Sequence, residues 1–192
     1  RKRKPPAAAR PPDFNSSSER RAALGQAISY LEGQPGKWHR QWLTETKGLN
    51  EETIATAFLG LRASGHVVIP YFDLRGQEVV KLKFYKPASD AGPKEIFQEQ
   101  PAPGYIYGWQ PEYEERHELI LAASEFDCLL FKQLGYSAFF WGYEHPGAEI
   151  AKFLANFTSL PDFGYKRIFI FGDNDIPGRQ AAEASRKILH SL

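Results

Sequence analysis

The 192-residue sequence contains no methionine and a single cysteine, Cys128. One cysteine excludes an internal disulfide framework and a cysteine-rich zinc site, and it suits a reducing compartment. No apolar run approaches the roughly 20 residues that a membrane helix needs, and no secretory signal is visible. The glycine-lysine phosphate loop of ATPase motors is absent. Net charge is nearly absent too, since 24 Lys+Arg against 23 Asp+Glu leave +1. The missing methionine and the leading arginine read as a piece of a longer protein.

What is present is enough for a sizeable core in one or two small domains, with 42% hydrophobic and 14% aromatic residues. The charge is unevenly placed. Residues 1–22 hold seven Lys/Arg and two Asp/Glu, a local balance of +5, which leaves about −4 for the remainder. RKRKPPAAARPP has no apolar periodicity, so residues 1–17 read as a disordered basic arm, a solvated linker with nucleic-acid contact as its other reading.

Ser16-Ser-Ser-Glu19 predicts a helix start, with Leu24, Ala27, Ile28 and Leu31 at helical spacing and a stop near Gly33-Gln-Pro-Gly36. A short helix follows over Trp38–Thr46, and Asn50 caps another through Ala57 and Phe58. HVVIPYFD (66–73) and EVVKLKFYK (78–86) predict a β-hairpin around Gly76. Residues 87–103 read as a polar loop and 104–109 as a short strand. From Glu118 the rhythm becomes β-α-β-α-β-α: ELILAA, SEFDCLLFKQLG, YSAFFW, a helix over 147–160, KRIFIF, and a helix over 177–189. That alternation argues a parallel sheet covered by helices. A boundary falls in the charged stretch 110–117, giving an α+β subdomain over 18–112 and an α/β domain over 113–192.

The third of these strands ends in IFIFGDNDIPG (168–178), an apolar run that stops at two aspartates. Carboxyl ends of strands form the functional edge of an open parallel sheet. Asp173 and Asp175 repel each other unless a cation or hydrogen bonds offset them. Mg²⁺ suits such oxygen ligands and leaves positions for water or phosphate, which the adjacent helix N-terminus also favours. The plainer reading has one aspartate capping the helix and the other facing water. A calcium loop of the EF-hand type does not fit, because Pro177 and Ala184 fall on ligand positions.

SEFDCLL after a strand, a helix ending in LGYSAFF, and a strand ending in GDNDIPGRQAA together resemble the Toprim domain over roughly residues 117–192. Toprim domains occur in DnaG-type primases, topoisomerases of types IA and II, and OLD-type nucleases. The DNDxxGRxAA form is most similar to primases and to phage and Twinkle-like primase–helicases. GLNEETIATAFLGL and the hairpin up to Lys86-Pro87 resemble, more loosely, the segment preceding Toprim in those proteins. The fold class implied is α/β, a Toprim-like parallel sheet with flanking helices, preceded by a smaller α+β primase-type subdomain.

The resemblance implies an acidic pattern EGxxD together with the DxD. Asp127, Asp173, Asp175 and Gly178 match. Ala123 and Ser124 stand where the pattern has glutamate and glycine, and alanine can serve neither as metal ligand nor as acid or base. Glu125 is the nearest substitute, and its plainer reading is a carboxylate favoured by the helix dipole. The implied catalytic set is Asp173, Asp175, Glu125 and Asp127, with Mg²⁺ or Mn²⁺ on Asp173 and Asp175. Lys81, Lys83 and Tyr85 share one strand face opposite Val80, Leu82 and Phe84, and Lys86 follows. They offer a nucleic-acid or nucleotide surface or an ordinary solvated face. Arg179, beside the DxD, reads equally as a phosphate contact and as a solvent-facing helix residue. Trp38, His39 and Trp42 read as a packing knot, with base stacking as the other reading, His145 as an ordinary loop residue near the active edge, with ligand contact as its other reading, and Cys128 as core.

The expected function is a primase or primase–helicase core performing metal-dependent nucleotidyl transfer on single-stranded DNA with nucleoside triphosphates, beside a helicase domain or partner. The alternative is a catalytically degenerate DNA-binding module of a replicative helicase, and a third reading is a Toprim nuclease. Expected surroundings are the cytoplasm or nucleoid, a phage or mobile element, or an organelle, with no membrane.

Overall fold

The computed structural model describes residues 14–73, 76–88, 94–99, 106–108, 118–141 and 167–190. Most of the basic arm, the boundary at 110–117, His145 and the helix expected over 147–160 lie outside the described residues.

Helix α1 spans Ser17–Glu32, and the Ser16 hydroxyl accepts from the Glu19 amide at 3.2 Å. The Glu19 carboxylate reaches back to the Asn15 amide at 2.8 Å, so both ends of the first turn are satisfied by local side chains. Phe14 packs beneath this helix, so ordered structure begins inside the stretch read as an arm. Helix α2, Lys37–Gln41, runs on into a π-helical turn over Trp42–Thr46. Helix α3, Glu51–Thr56, is capped by Asn50, whose side-chain oxygen accepts from the Thr53 amide at 2.7 Å.

Four antiparallel strands follow: β1 (Gly60–Leu61), β2 (Val67–Phe72), β3 (Val79–Lys86) and β4 (Glu95–Gln98), in that order across the sheet. β2 and β3 form the expected hairpin. β4 corrects the expectation of a loop over 87–103. It is only four residues long, yet it pairs Phe97 with Phe84 and Ile96 with Tyr85. The buried Glu99 anchors its end, accepting from the Leu82 amide at 2.6 Å and from Arg20 Nε at 3.0 Å.

The second sheet is parallel, with order β6-β5-β7: β5 (Glu118–Leu121) between β6 (Ala138–Phe139) and β7 (Arg167–Ile170). Helix α4 covers Glu125–Gln133 and helix α5 covers Ile176–His190. Of the strand expected over 104–109, the described residues show one bridge, Tyr107 to Phe140.

The layers follow from which face each residue offers. Leu24 and Ala27 of α1 cover Val68, Val79, Leu82 and Phe84 on one face of the antiparallel sheet. The opposite face, with Val67, Ile69 and Tyr71, shares a core with Phe126, Cys128 and Leu129 of α4 and with Ala138 and Phe140. On the far side of the parallel sheet, Leu119, Leu121 and Phe139 meet Ile188 and Leu189 of α5. The antiparallel sheet is therefore buried on both faces. A bulge between Tyr71 and Phe72 shifts the register, so Val79 rather than Val80 joins Leu82 and Phe84.

Candidate functional site

β5 is the central strand of the parallel sheet. The chain leaves it through α4 to β6 on one side, and β7 pairs on the other. Its carboxyl end is thus a topological switch point, where open α/β sheets place their ligand crevice. A cleft opens there, lined by Ala122, Ala123, Phe140 and Trp141 on one wall and by Asp173, Asp175 and Gly178 on the other.

The aspartate wall is built by the turn into α5. The Phe171 amide still bonds to Leu121 O at 2.8 Å, after which the chain leaves the sheet. Asp175 caps α5, its Oδ1 accepting from the Gly178 amide at 2.7 Å. Pro177 occupies the second helical position rather than the first, where its missing N–H still costs no hydrogen bond. Gly178 is required by close approach, since a Cβ there would lie 2.2 Å from Asp173 O. The turn is therefore packed tightly enough to fix where both aspartates leave the backbone.

The other two candidate acids lie elsewhere. Asp127 belongs to the start of α4: its carboxylate accepts from the Ser124 hydroxyl at 2.6 Å, and its amide donates to the same hydroxyl at 3.2 Å. Glu125 is buried, 3% exposed. Its carboxylate accepts from Lys83 Nζ at 2.6 and 2.9 Å and from the Tyr71 hydroxyl. Neither Glu125 nor Asp127 lines the cleft, whereas Ala123 does.

The lysine stripe is not a solvated face. Lys81 is 5% exposed, with its ammonium 4.8 Å from the Tyr71 ring centroid. Burial, with Lys83 as a like charge nearby, brings its pKa down to about 8. Lys83 is committed to Glu125, and Lys86 lies 3.4 Å from Glu95. The cause is tertiary, because α4 and its neighbours cover the face that β3 alternation alone leaves open. Arg179 is exposed and ties down the aspartate turn, bonding to Asn174 O at 3.2 Å and Asn174 Oδ1 at 3.1 Å.

A second cluster escapes sequence reasoning. Trp42 stacks on Tyr85 with centroids 5.6 Å apart, and Phe126 meets both edge-on. The Lys47 ammonium lies 4.8 Å from the Phe126 ring and the Lys94 ammonium 5.4 Å from the Tyr85 ring. Burial lowers the Lys47 pKa, opposed by the negative charge of Asp127. These residues come from four separate segments, and the advance signals were Tyr85 on the lysine face and Trp42 in the aromatic knot. Trp38 of the expected packing knot is half exposed, 48%, and among the described residues its ring meets His39 edge-on. Cys128 is fully buried beneath this region, and burial pushes its thiol up to about 12.

Two layered sheets, one antiparallel and one parallel, with an acid-edged crevice at the parallel strands' ends define the class, an α/β core. No protein-family description and no curated protein sequence matches the chain. Its fold, however, is that of DnaG primase catalytic cores. A DnaG primase catalytic domain bound to single-stranded DNA superposes with a TM-score of 0.69 at 16% identity, over 88% of this chain and 64% of that one. The RNA polymerase domain of the Mycobacterium tuberculosis primase DnaG gives 0.71 at 15% identity, over 89% and 70%. A chain from the bacteriophage T7 lagging-strand DNA polymerase with primase domains on an RNA/DNA hybrid gives 0.55 at 18% identity, over 75% and 72%. The chain thus spans just under two thirds of the length of the first of these.

Proposed function

We propose that the chain is the core of a DNA primase or primase–helicase, acting at single-stranded DNA during replication. The observation that carries this reading is the acid-edged crevice at the switch point of a primase-type fold. Asp173 and Asp175 supply hard oxygen donors, and Mg²⁺ commonly sits on one or two carboxylates with water and phosphate oxygens completing its shell. No group of three or more acidic, histidine or cysteine side chains gathers for a metal among the described residues, but an ion such as Mg²⁺ or Mn²⁺ that keeps water and phosphate oxygens in its other positions needs no third carboxylate, and when bound would neutralise phosphate charge. Asp175 is preorganised by the Gly178 amide, and Arg179 steadies the turn. Elsewhere on the chain, the partly buried Trp42 and Tyr85 stack on each other with the Lys47 and Lys94 ammonium groups beside their rings. Stacking surfaces with nearby cations suit single-stranded nucleic acid.

Within this class the geometry favours strand engagement over primer synthesis. Ala123 lines the cleft where the Toprim resemblance calls for glutamate, and both nearby carboxylates are committed to structural partners. The intact aspartate pair favours the second reading, residual nucleotidyl transfer. Incubation with a single-stranded template, nucleoside triphosphates and Mg²⁺ or Mn²⁺ separates the two. DNA binding with little or no primer is the expected result. Abundant primer that disappears in Asp173→Asn would establish the synthetic reading instead, and absence of DNA binding would defeat both.

A further inference from the structure

Two residues that sequence reasoning assigned to separate tasks, Glu125 to catalysis and Lys83 to nucleic acid, are each other's partners. Both Glu125 oxygens take the Lys83 ammonium, a two-point contact of the kind a phosphate would otherwise offer. The carboxylate cannot swing away easily. It is 4% exposed in its side chain, starts from the first residue of α4, and also receives the Tyr71 hydroxyl. The lysine side chain is 13% exposed, and its ammonium lies 5.7 Å from the centroid of Phe140. Phe140 also lines the aspartate cleft, so the Lys83 ammonium is one aromatic ring away from it. Lys81 is a second positive charge close enough to repel Lys83, its ammonium lying over the Tyr71 ring.

We propose that Glu125 is an internal counter-anion that withholds Lys83 from nucleic-acid phosphate, so the cleft grips a strand with one cation fewer than its sequence supplies. The inference rests on the reading that the chain engages single-stranded DNA. Glu125 is on this account a positioning residue, and a mere bolt between the two sheets would affect stability without changing the electrostatics of binding.

The test is binding of a labelled oligothymidylate across a salt series, with the whole chain as wild type, Glu125→Gln, Lys83→Met and the double variant. Glu125→Gln, still cooperatively folded by circular dichroism, should bind more tightly at low salt. Its log-affinity against log-salt slope should steepen by about 0.7, the increment for one further phosphate on a single strand. The double variant should return to the wild-type slope, and Lys83→Met alone should leave that slope unchanged. An unchanged slope in folded Glu125→Gln overturns the proposal. So does a shallower slope in Lys83→Met alone, which needs no Glu125 variant to fold. No salt-dependent binding by the wild type would instead sink the strand-engagement reading and take this one with it.

Discussion

Gly178 shows how single atoms govern the cleft. Its missing Cβ is the space that the Asp173 carbonyl occupies, and its amide is the donor that fixes Asp175. Gly178→Ala should push the Asp173 backbone away and lower stability by about 1–3 kcal/mol, the usual cost of overpacking. The same variant should weaken divalent-cation binding, and denaturant unfolding with a Mn²⁺ titration measures both effects. At this scale the sequence was informative where chemistry is local. The DxD, the glycine and Ser124 ahead of α4 could all be read as a strand end and helix starts. The partners of Glu125 could not, because Tyr71 and Lys83 are distant in the chain and only the packing of two sheets brings them near.

At the scale of elements, helix caps and the β2–β3 hairpin were legible because Ser16, Asn50 and the alternating aromatic and β-branched residues act through neighbours in sequence. β4 was not. Its four residues are flanked by prolines and glycines, and its pairing partner, not its own pattern, makes it a strand. Its anchor is Glu99, which joins Arg20 of α1 to the Leu82 amide of β3 and is 6% exposed. Glu99→Ala should cost about 1–3 kcal/mol, because it leaves the buried Leu82 amide and the Phe14 amide without their acceptor, while the partly buried Arg20 guanidinium keeps only the Phe14 carbonyl. Urea unfolding of the variant checks this, and a loss under 1 kcal/mol, the range of exposed pairs, would mean that Glu99 is far more solvated than described. The burial of the lysine face of β3 was not legible for the same reason β4 was missed, since alternation reports which residues share a face and not what later covers it.

Across the whole molecule, the shared core between the two sheets carries the ionisable groups that tie stability to pH. Burial holds Lys81 at about 8 rather than 10.5. Above pH 8 the folded chain sheds a proton that the unfolded chain keeps, so stability should rise with pH. Cys128, pushed from 9.0 up to about 12, works in the opposite sense from pH 9 upward, because the unfolded thiol ionises first. Tyr71 and Tyr107, both raised by burial, add to that loss above their ordinary value of 10.0. Urea midpoints should therefore climb between pH 8 and 9 and then level off and fall, with Lys81→Met removing most of the climb. Among the described residues no helix is long and apolar enough to cross a membrane.

The same whole-molecule arrangement sets the acid-edged cleft at the switch point of the parallel sheet, and a divalent cation there is the central claim. Mn²⁺ titration followed by electron paramagnetic resonance, on the wild type and on Asp173→Asn, tests it most directly. The wild type should hold Mn²⁺, and the variant should bind it roughly tenfold or more weakly, at least the cost of disturbing the outer shell of a metal site. Equal binding by the two proteins, or none by the wild type, would contradict the account.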